Sequence, residues 1–382
     1  MINKSAEIKS FLEHGDDSLA IRRLLDYSLE INQTDLLKKA ISISKKYHQS
    51  RIENDSVKIN FALKAESLEL LDALDSVTPP SSINSETLIK VNSISKKYIG
   101  SNFSLSPISL EINTSDIVGI VGENGNGKTT FLRCLSGQLA IDSGNIEYNR
   151  IPNADFYSVK NHVAFIPQRI PKWFGYLKDN LCFSASLAGL HGERNEFMVD
   201  FMLERLNLSK YAHLTWDKIS SGYRTRFEIA RVLLFKPGLL ILDEPLANLD
   251  INAQQTILTD LRYLAKSTYH PLGIILSSQQ LHEVEKVADR VLFIKQGKCL
   301  FTTGEVTNEK PSTVIELETS LSREGLVDLF QQSDILLQFN GVFYTLSSES
   351  LNAQQIIQLV FSKNIPVTYF RDITNSTKRY FN

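Results

Sequence analysis

The sequence predicts an α/β fold built on a mostly parallel sheet, preceded by an all-α domain and followed by a small α+β domain. Three observations predict it. Short apolar strands alternate with helical stretches from Ile117 to about Phe301, residues 1–75 show helical apolar spacing alone, and the last segment reads as βαββαβ. The predicted units are a helical domain at 1–75, a linker at 76–86, the α/β domain at 87–308 and a C-terminal domain at 309–382.

The composition limits the partners and compartments to consider. The chain has 382 residues, a formal net charge of −2 and a pI near 6.4, so we expect no nucleic-acid partner on electrostatic grounds. The three cysteines, Cys134, Cys182 and Cys299, form no CxxC pair, which favours a reducing compartment over a disulfide framework or a zinc site. No apolar run approaches the ~18 residues that span a bilayer. We therefore expect a cytoplasmic chain that reaches the membrane only through a partner.

Residues 1–75 are predicted to form antiparallel helices. Apolar residues recur at three- and four-residue spacing in three stripes, and Thr34 is placed to cap the second helix. The stripes are Ile21, Leu24, Leu25 and Leu29; Leu37, Ala40 and Ile41; and Ala62, Leu63, Leu68, Leu70, Leu71 and Leu74. No cluster of catalytic residue types occurs in this segment, which indicates a packing or docking module. The paired prolines of Ser76–Ser82 then end the helices and begin the linker.

The α/β domain is predicted to open with antiparallel strands, because residues alternate from Leu88 to Ile94 and again through Leu110 and Ile112. Later apolar runs are predicted to be buried strands of a parallel sheet. They are Val163–Ile166, Leu239–Leu242, Leu272–Leu276 and Val291–Ile294. Residues 171–217 carry no strand signal and are predicted to be a helical insertion with aromatic residues at its entrance, Trp173, Phe174 and Tyr176.

The C-terminal segment is predicted to be a ferredoxin-like domain, because strands and helices alternate in the split βαββαβ order. The predicted elements are strand 313–319, helix 322–331, strands 334–339 and 342–346, helix 352–363 and strand 366–371.

A glycine-rich turn between a strand and a helix is the centre of the predicted site. It follows Ile117–Val121 and combines bracketing glycines with a lysine and a hydroxyl, the pattern of a phosphate-binding loop. Its residues are Gly122, Glu123, Asn124, Gly125, Asn126, Gly127, Lys128, Thr129 and Thr130. Glycines let successive N–H groups point at phosphates beside the positive end of a helix. We predict a nucleotide site in which Lys128 neutralises the β- and γ-phosphates and Thr129 offers its hydroxyl to Mg²⁺.

Two further segments extend this site. The apolar strand Leu239–Leu242 ends in Asp243 and Glu244, and carboxylates at the C-terminal edge of a parallel sheet lie where ligands bind. Asp243 would hold Mg²⁺ through its water shell, and Glu244 would orient the water that attacks the γ-phosphate. Ser220 and Gly222 precede another helix and offer N–H groups and a hydroxyl to an anion.

Together these motifs resemble the ATP-binding cassette (ABC) ATPase family over about residues 88–303. Gly122–Thr130 is similar to Walker A, Ile219–Tyr223 to the signature motif and Leu239–Glu244 to Walker B. The resemblance implies a P-loop NTPase cassette with an antiparallel β-subdomain and a helical insertion. It also implies ATP and Mg²⁺ as cofactors, and a head-to-tail dimer of two cassettes, identical or paralogous, that sandwiches each ATP between Walker A of one copy and the signature of the other.

The resemblance also implies roles for individual residues. Tyr98 resembles the aromatic residue that stacks on adenine, Gln168 the Q-loop glutamine that contacts Mg²⁺, and Ala247–Asp250 the D-loop. The implied ATP-binding set is Tyr98, Gly122, Glu123, Asn124, Gly125, Asn126, Gly127, Lys128, Thr129, Thr130, Gln168, Ser220, Gly222 and Asp250. The implied metal-binding residues are Thr129, Gln168 and Asp243, and the implied catalytic residues are Glu244, Lys128 and Gln279.

Three departures from the family pattern matter. The signature, LSGGQ in many members, reads Ile219 to Tyr223 as ISSGY and keeps the serine and one glycine. Gln279 stands where the family usually has the switch histidine, and a glutamine donates a hydrogen bond but has no cationic form. His282 is expected on the following helix as a solvated residue. The N-terminal helical domain is not part of the common cassette pattern.

The resemblance favours the ATP-hydrolysing subunit of a membrane transporter with a separate membrane-spanning partner. The βαββαβ tail and Tyr369–Thr374 look more like bacterial exporter-type ATPases than like sugar importers, which often append β-barrels. Two alternatives stay open. One is a soluble cassette ATPase acting on nucleic acid or ribosomes, and the other is an ATP-gated dimerising module in which Gln279 makes hydrolysis negligible. We expect the helical domain at 1–75 to dock on the partner or on the second copy and to limit hydrolysis.

Overall fold

A computed structural model of the chain describes residues 4–53, 61–77, 86–100, 103–149, 151, 155–267, 270–302, 313–330, 334–339, 341 and 343–374. Most of the predicted linker, residues 78–85, and the first residues of the predicted C-terminal domain, 309–312, lie outside these ranges. In the described part of the chain, every helix is too short or too polar to cross a membrane.

The described residues of the N-terminal segment form four helices, α1 (Lys4–His14), α2 (Asp17–Ile31), α3 (Thr34–Glu53) and α4 (Phe61–Asp75). Helix α1 lies outside the three predicted stripes because it buries only Ser5, Ile8 and Leu12, too few apolar residues to mark a periodic face. The prediction that Thr34 caps a helix is wrong. Thr34 is the first residue of α3, and Gln33 O accepts the first helical hydrogen bond from Leu37 N.

The next segment contains the strands and helices of an α/β domain. In chain order they are β1 (Thr87–Lys97), β2 (Ser104–Asn113), β3 (Ile117–Val121), α5 (Lys128–Leu135), β4 (Ser143–Tyr148), α6 (Phe156–His162), β5 (Val163–Ile166), α7 (Leu177–Leu187), α8 (Glu193–Arg205), α9 (Ser221–Leu233), β6 (Leu239–Leu242), α10 (Ile251–Ala265), β7 (Gly273–Ser278), α11 (Leu281–Val284), β8 (Arg290–Lys295) and β9 (Lys298–Thr302).

These strands form two sheets. The central sheet has the order β5-β6-β7-β3-β8-β9, in which the first five strands are parallel and β9 is antiparallel. Strands β2, β1 and β4 form an antiparallel sheet in that order, so the predicted antiparallel opening is confirmed and gains β4 as a third strand. The four residues of β6 are all buried, as expected of an inner parallel strand.

The helical insertion consists of α7, α8 and two short 3₁₀ turns at Ser209–Tyr211 and Trp216–Lys218. A single antiparallel bridge between Tyr176 and Thr215 closes its base. At the entrance Trp173 is buried and stacks on Trp216 with ring centroids 5.0 Å apart, while Phe174 and Tyr176 are 82% and 58% exposed. The insertion therefore has an aromatic anchor inside and aromatic side chains on its surface.

The C-terminal domain has the predicted ferredoxin-like topology. Its elements are β10 (Thr313–Thr319), α12 (Arg323–Phe330), β11 (Leu336–Phe339), β12 (Tyr344–Ser348), α13 (Ala353–Ser362) and β13 (Val367–Asp372). The sheet is antiparallel in the order β11-β12-β10-β13, which inserts β12 between β10 and β11 and inserts β10 between β12 and β13, as in two split βαβ units. Asn352 and Gln355 form a reciprocal capping box at the start of α13.

Three apolar cores, formed by residues that the structure describes, hold these layers together. The first core joins the N-terminal helices to the helical insertion, to α9 and α10, and to one face of the central sheet. The second core lies between the opposite face of that sheet, α5 and the antiparallel sheet. The third core belongs to the C-terminal domain. The N-terminal domain thus packs on its own α/β domain, and its docking on a partner or on a second copy stays a prediction.

Candidate functional site

The glycine-rich loop leaves β3 and enters α5 in a conformation that needs its glycines. Gly127 has a φ of 102°, which disfavours any other residue. Gly122 has an ordinary φ, but a Cβ there would lie 2.2 Å from the backbone oxygen of Ile294. The loop is therefore held close against β8, and its N–H groups are placed at the first turn of α5.

Asn126 fixes the same loop to the turn between β8 and β9. Its side-chain Oδ1 accepts a hydrogen bond from Gln296 N at 2.9 Å, and its backbone oxygen accepts one from Gly297 N at 3.0 Å. Asn126 is buried, and its Nδ2 has no hydrogen-bond partner among the described residues. Its visible role is to shape the loop.

Lys128 turns back across the loop. Its Nζ donates to Gly122 O at 2.6 Å and to Glu123 O at 3.1 Å, and it lies 3.0 Å from Glu244 Oε1. The Lys128 side chain is only 5% exposed. A buried ammonium needs such partners, because the desolvation of an unpaired charge is costly. The geometry therefore holds a positive charge inside the loop and against the end of β6.

The carboxylate of Asp243 joins the loop to the sheet. Thr129 Oγ1 donates to Asp243 Oδ2 at 2.7 Å, and Ser277 Oγ donates to Asp243 Oδ1 at 2.8 Å. Asp243 is 4% exposed, whereas Thr129 is open to solvent. Carboxylate and hydroxyl oxygens are the ligand types that Mg²⁺ prefers, so this pair fits the predicted metal site.

Glu244 follows in a left-handed backbone conformation, with a φ of 51°. Its backbone N–H donates to Ser277 Oγ at 2.9 Å, which stabilises the sharp turn after β6. The turn places the carboxylate beside Lys128, where Oε1 is buried and makes an ion pair without an aligned hydrogen bond to any described residue. A non-glycine residue in this region costs about 1–2 kcal/mol, and such strain is often found at functional sites.

Ser277 is the functional residue that the sequence prediction missed. It lies in β7, is fully buried, and binds both Asp243 and the backbone of Glu244. The only signal in the sequence is a pair of serines that closes the apolar strand Gly273–Ser278. Serine at a strand end is common, so this signal becomes useful only when the neighbouring strand is known to carry the carboxylates.

Parallel pairing brings the other predicted residues to the same edge of the sheet. Gln168 follows β5, Asp243 follows β6, Gln279 follows β7 and Gly122 follows β3, and these strands are consecutive neighbours. The C-terminal ends of parallel strands share one edge, which is where ligands bind in such sheets. Gln168 and Gln279 are both exposed there. His282 lies on α11 and is exposed, as expected.

Tyr98 lies beside the helix that follows the loop. Its hydroxyl is 3.2 Å from Thr130 Oγ1, its ring centroid is 6.4 Å from that of Phe103, and the residue is 37% exposed. The ring therefore borders the first turn of α5 and remains open on one side.

The remaining predicted residues form a second group at the starts of α9 and α10. Ser220 is the cap residue of α9, is exposed, and makes no capping hydrogen bond with its side chain. A Cβ on Gly222 would lie 3.2 Å from Ala253 Cβ, so the two helix starts are in contact. Asp250 caps α10 by accepting from Ala253 N at 2.9 Å. Its carboxylate is thus already engaged in a structural role.

The sequence comparisons give the family and its relatives. The model of the family described as "ABC transporter" matches residues 105–247. The bacitracin transport ATP-binding protein BcrA of Bacillus licheniformis is 34% identical over 261 residues, which are 65% of this chain and 80% of that protein. The phosphonates import ATP-binding protein PhnC 2 of Oceanobacillus iheyensis is 28% identical over 232 residues, covering 56% of this chain and 89% of that protein.

Among solved structures, the chain is similar to cbiO1 of Clostridium perfringens, described as part of the ABC transporter complex cbiONQ. The TM-score is 0.52 at 24% identity, and the match covers 57% of this chain and 88% of cbiO1. At that identity the match supports the fold of the α/β domain.

Proposed function

The chain belongs to the ABC transporter ATPase family, and we propose that it powers a transporter by hydrolysing ATP at the site formed by Lys128, Thr129, Asp243 and Glu244. The observation that carries the proposal is the junction of the phosphate loop with the end of β6. Thr129 Oγ1 and Asp243 Oδ2 are 2.7 Å apart, and Lys128 Nζ and Glu244 Oε1 are 3.0 Å apart. Two segments more than a hundred positions apart in the chain thus form one site.

Each side chain has a distinct role in the proposed reaction. Lys128 neutralises charge on the β- and γ-phosphates, and the loop N–H groups bind the same phosphates. Thr129 and Asp243 hold Mg²⁺, which supplies charge neutralisation at the transferring phosphate. Glu244 positions the attacking water and polarises it. Ser277 keeps Asp243 and Glu244 in place.

A head-to-tail dimer completes the proposed site. Ser220 and Ser221 at the N-terminal end of α9 are exposed, and the Ser220 hydroxyl makes no capping hydrogen bond, so it is a group suited to phosphate. We place the ATP of one copy between its own phosphate loop and the Ser220–Gly222 segment of the second copy. Tyr98 stacks on the base and Gln168 completes the metal site.

The transport partner in this proposal is a separate membrane-spanning subunit, and the direction is export. Exposed Phe174 and Tyr176 on the insertion support a protein partner at that surface. The relatives include one named for bacitracin transport and one named for phosphonates import. A vesicle transport assay with the purified complex therefore tests whether the direction is export or import.

ATP hydrolysis by the purified chain tests the proposal against the gating alternative. We expect slow turnover in the wild type and faster turnover in Gln279→His, because an imidazole can carry the charge that the amide lacks. Absence of turnover in both proteins, together with dimerisation that depends on ATP, would favour the gating module instead.

A further inference from the structure

Helix α2 of the N-terminal domain contacts two parts of the cassette at once. Asp26 Oδ1 accepts a hydrogen bond from Arg205 Nε at 2.5 Å, and Arg205 ends α8 in the helical insertion. Arg22 forms an ion pair with Asp260, which lies in α10 against the central sheet. Arg22 and Asp26 are one helical turn apart and thus on one face of α2. A single helix face therefore links the insertion to the sheet layer.

Further contacts strengthen both ends of this link. At α10, the Arg23 guanidinium lies 4.3 Å from the ring centroid of Tyr263. At the insertion, α3 adds hydrogen bonds to the buried carboxylate of Glu204, from Ser44 Oγ at 2.6 Å and His48 Nδ1 at 2.8 Å. The insertion cannot turn relative to α10 unless some of these buried polar contacts break.

The link continues to the signature segment. The carboxylate that Arg22 binds is shared with Arg226 of α9, whose Nε lies 3.4 Å from Asp260 Oδ2. The Arg226 guanidinium is 5.8 Å from the ring centroid of Tyr223, the last residue of the signature segment. Tyr223 in turn packs on Tyr211 of the insertion with ring centroids 4.0 Å apart. The side chains of Asp260 and Arg226 therefore connect Arg22 to Tyr223 near the start of α9.

Arg22 is the residue of this cluster that can be removed with the charge of the remaining residues still balanced. Arg205 pairs with Asp26, whereas Arg22 and Arg226 share the single carboxylate of Asp260. Burial, followed by the nearby charge of Arg226, lowers the pKa of Arg22 to about 10, so it is still protonated at neutral pH. Removal of Arg22 leaves Arg226 and Asp260 as a balanced pair. The domain contact can thus be weakened without leaving a buried charge unpaired.

We propose that the N-terminal helical domain is an internal brace, in which α2 ties the helical insertion to α10 through Asp26–Arg205 and Arg22–Asp260 and so restrains the movement of the insertion and signature helix. The proposal rests on the proposed function, since the restraint matters to a cassette that turns over ATP. Arg22 contacts no substrate in this scheme and acts as a positioning residue. Its loss frees the insertion and raises the rate of hydrolysis.

The test compares the full-length wild type with Arg22→Met, Arg22→Lys and Lys46→Met. Lys46 pairs with Glu66 inside the N-terminal domain at 2.7 Å, so Lys46→Met removes an exposed ion pair that does not bridge to the cassette. Two quantities are measured: amide hydrogen exchange of peptides from α8 and α9, and the steady-state kcat and KM for ATP.

We expect Arg22→Met to speed exchange in α8 and α9 by about tenfold and to raise kcat about threefold or more, with KM changed less than twofold. Lys46→Met should match the wild type. Arg22→Lys keeps the charge and should fall in between, and it replaces the methionine variant if that protein does not fold.

Unchanged exchange in both Arg22 variants would overturn the brace itself. Faster amide exchange with an unchanged or lower kcat would overturn the proposal that the brace limits ATP turnover. If the wild type and all variants failed to hydrolyse ATP, the proposed function would fall, and the exchange data would still decide whether α2 restrains the insertion.

Discussion

The hydroxyl of Ser277 binds the carboxylate of Asp243, with Oγ donating to Oδ1 over 2.8 Å. The same hydroxyl accepts the N–H of Glu244 at 2.9 Å. One side chain on β7 therefore orients the predicted metal ligand and the predicted general base, which both follow β6. Ser277 and Asp243 are both buried, and a buried polar group that loses its hydrogen bond destabilises the protein.

Ser277→Ala should weaken the site without unfolding the protein. The change leaves Asp243 Oδ1 short of a donor and the Glu244 N–H short of an acceptor, at a cost of about 1–3 kcal/mol. We expect about tenfold lower kcat/KM and a higher requirement for Mg²⁺, measured by ATPase assays at varied magnesium. Ser136→Ala is the control, because Ser136 is also buried but donates to Arg133 O at 3.2 Å. Equal kinetics in the two variants would contradict the role of Ser277.

Glu244→Gln should block hydrolysis and keep ATP binding. The amide preserves the shape of the side chain but cannot accept a proton from water, so kcat should fall by about 10²–10⁴.

Lys128→Ala should instead lose ATP binding, because it removes the charge within the loop. Single-turnover hydrolysis and fluorescent-nucleotide titration separate the two effects. Glu147→Gln, an exposed change on β4, is the control, and wild-type kcat in Glu244→Gln would show that another residue acts as base.

Asp260→Asn should destabilise the fold far more than Arg22→Met. Asp260 is fully buried between the guanidinium groups of Arg22 and Arg226, so its neutralisation removes the carboxylate that these two positive charges share. Removing one partner of a buried ion pair costs about 3–5 kcal/mol. Arg22→Met leaves a balanced pair and should cost less than half of that. Urea unfolding of the three proteins measures the difference, and equal losses would contradict this account of the cluster.

The contact between α3 and the insertion should weaken in acid. Burial opposes the charge of Glu204, but hydrogen bonds from His48, Ser44 and Ser209 hold the pKa of Glu204 below its ordinary value of 4.5. A carboxyl with a lowered folded pKa stabilises the fold above pH 4.5 and loses that contribution as the pH falls through the folded value. The stability difference between wild type and Glu204→Gln should be constant above about pH 5.5 and shrink below 4.5.

Thermal unfolding of both proteins from pH 7 to 3 measures that difference. Glu66→Gln, at an exposed pair with Lys46, should show no comparable trend. A gap between wild type and Glu204→Gln that stays constant down to pH 3 would mean that the carboxylate is not held in its charged form.

The centre of the site could be predicted from the sequence because its reactive residues lie in two contiguous motifs. Lys128 and Thr129 follow a glycine-rich turn, and Asp243 and Glu244 follow an apolar strand. The parallel sheet then places these two motifs side by side, because the residues that follow parallel strands lie at the same edge of the sheet. The βαββαβ order of the C-terminal domain was also predictable, because short strand-like runs alternate there with helical stretches.

Contacts between distant elements could not be predicted in this way. Ser277 is a small polar residue in a buried strand, and its function depends on β6 being the neighbour of β7. Arg22 and Asp260 lie on amphipathic helices far apart in the chain, where a single charge reads as a solvated residue. Their pairing depends on how three layers pack, which no local pattern specifies.

The continuous core shared by the N-terminal helices and the cassette alters what counts as a unit of folding. Leu29 of α2 lines one apolar cavity together with Phe201 of the insertion and Leu264 of α10. A chain that began at Thr87 would present that apolar surface to water, with the solubility cost that such exposure brings. We therefore expect the three domains of the sequence to unfold as two cooperative blocks, one formed by the N-terminal helices with the α/β domain and the other by the C-terminal domain.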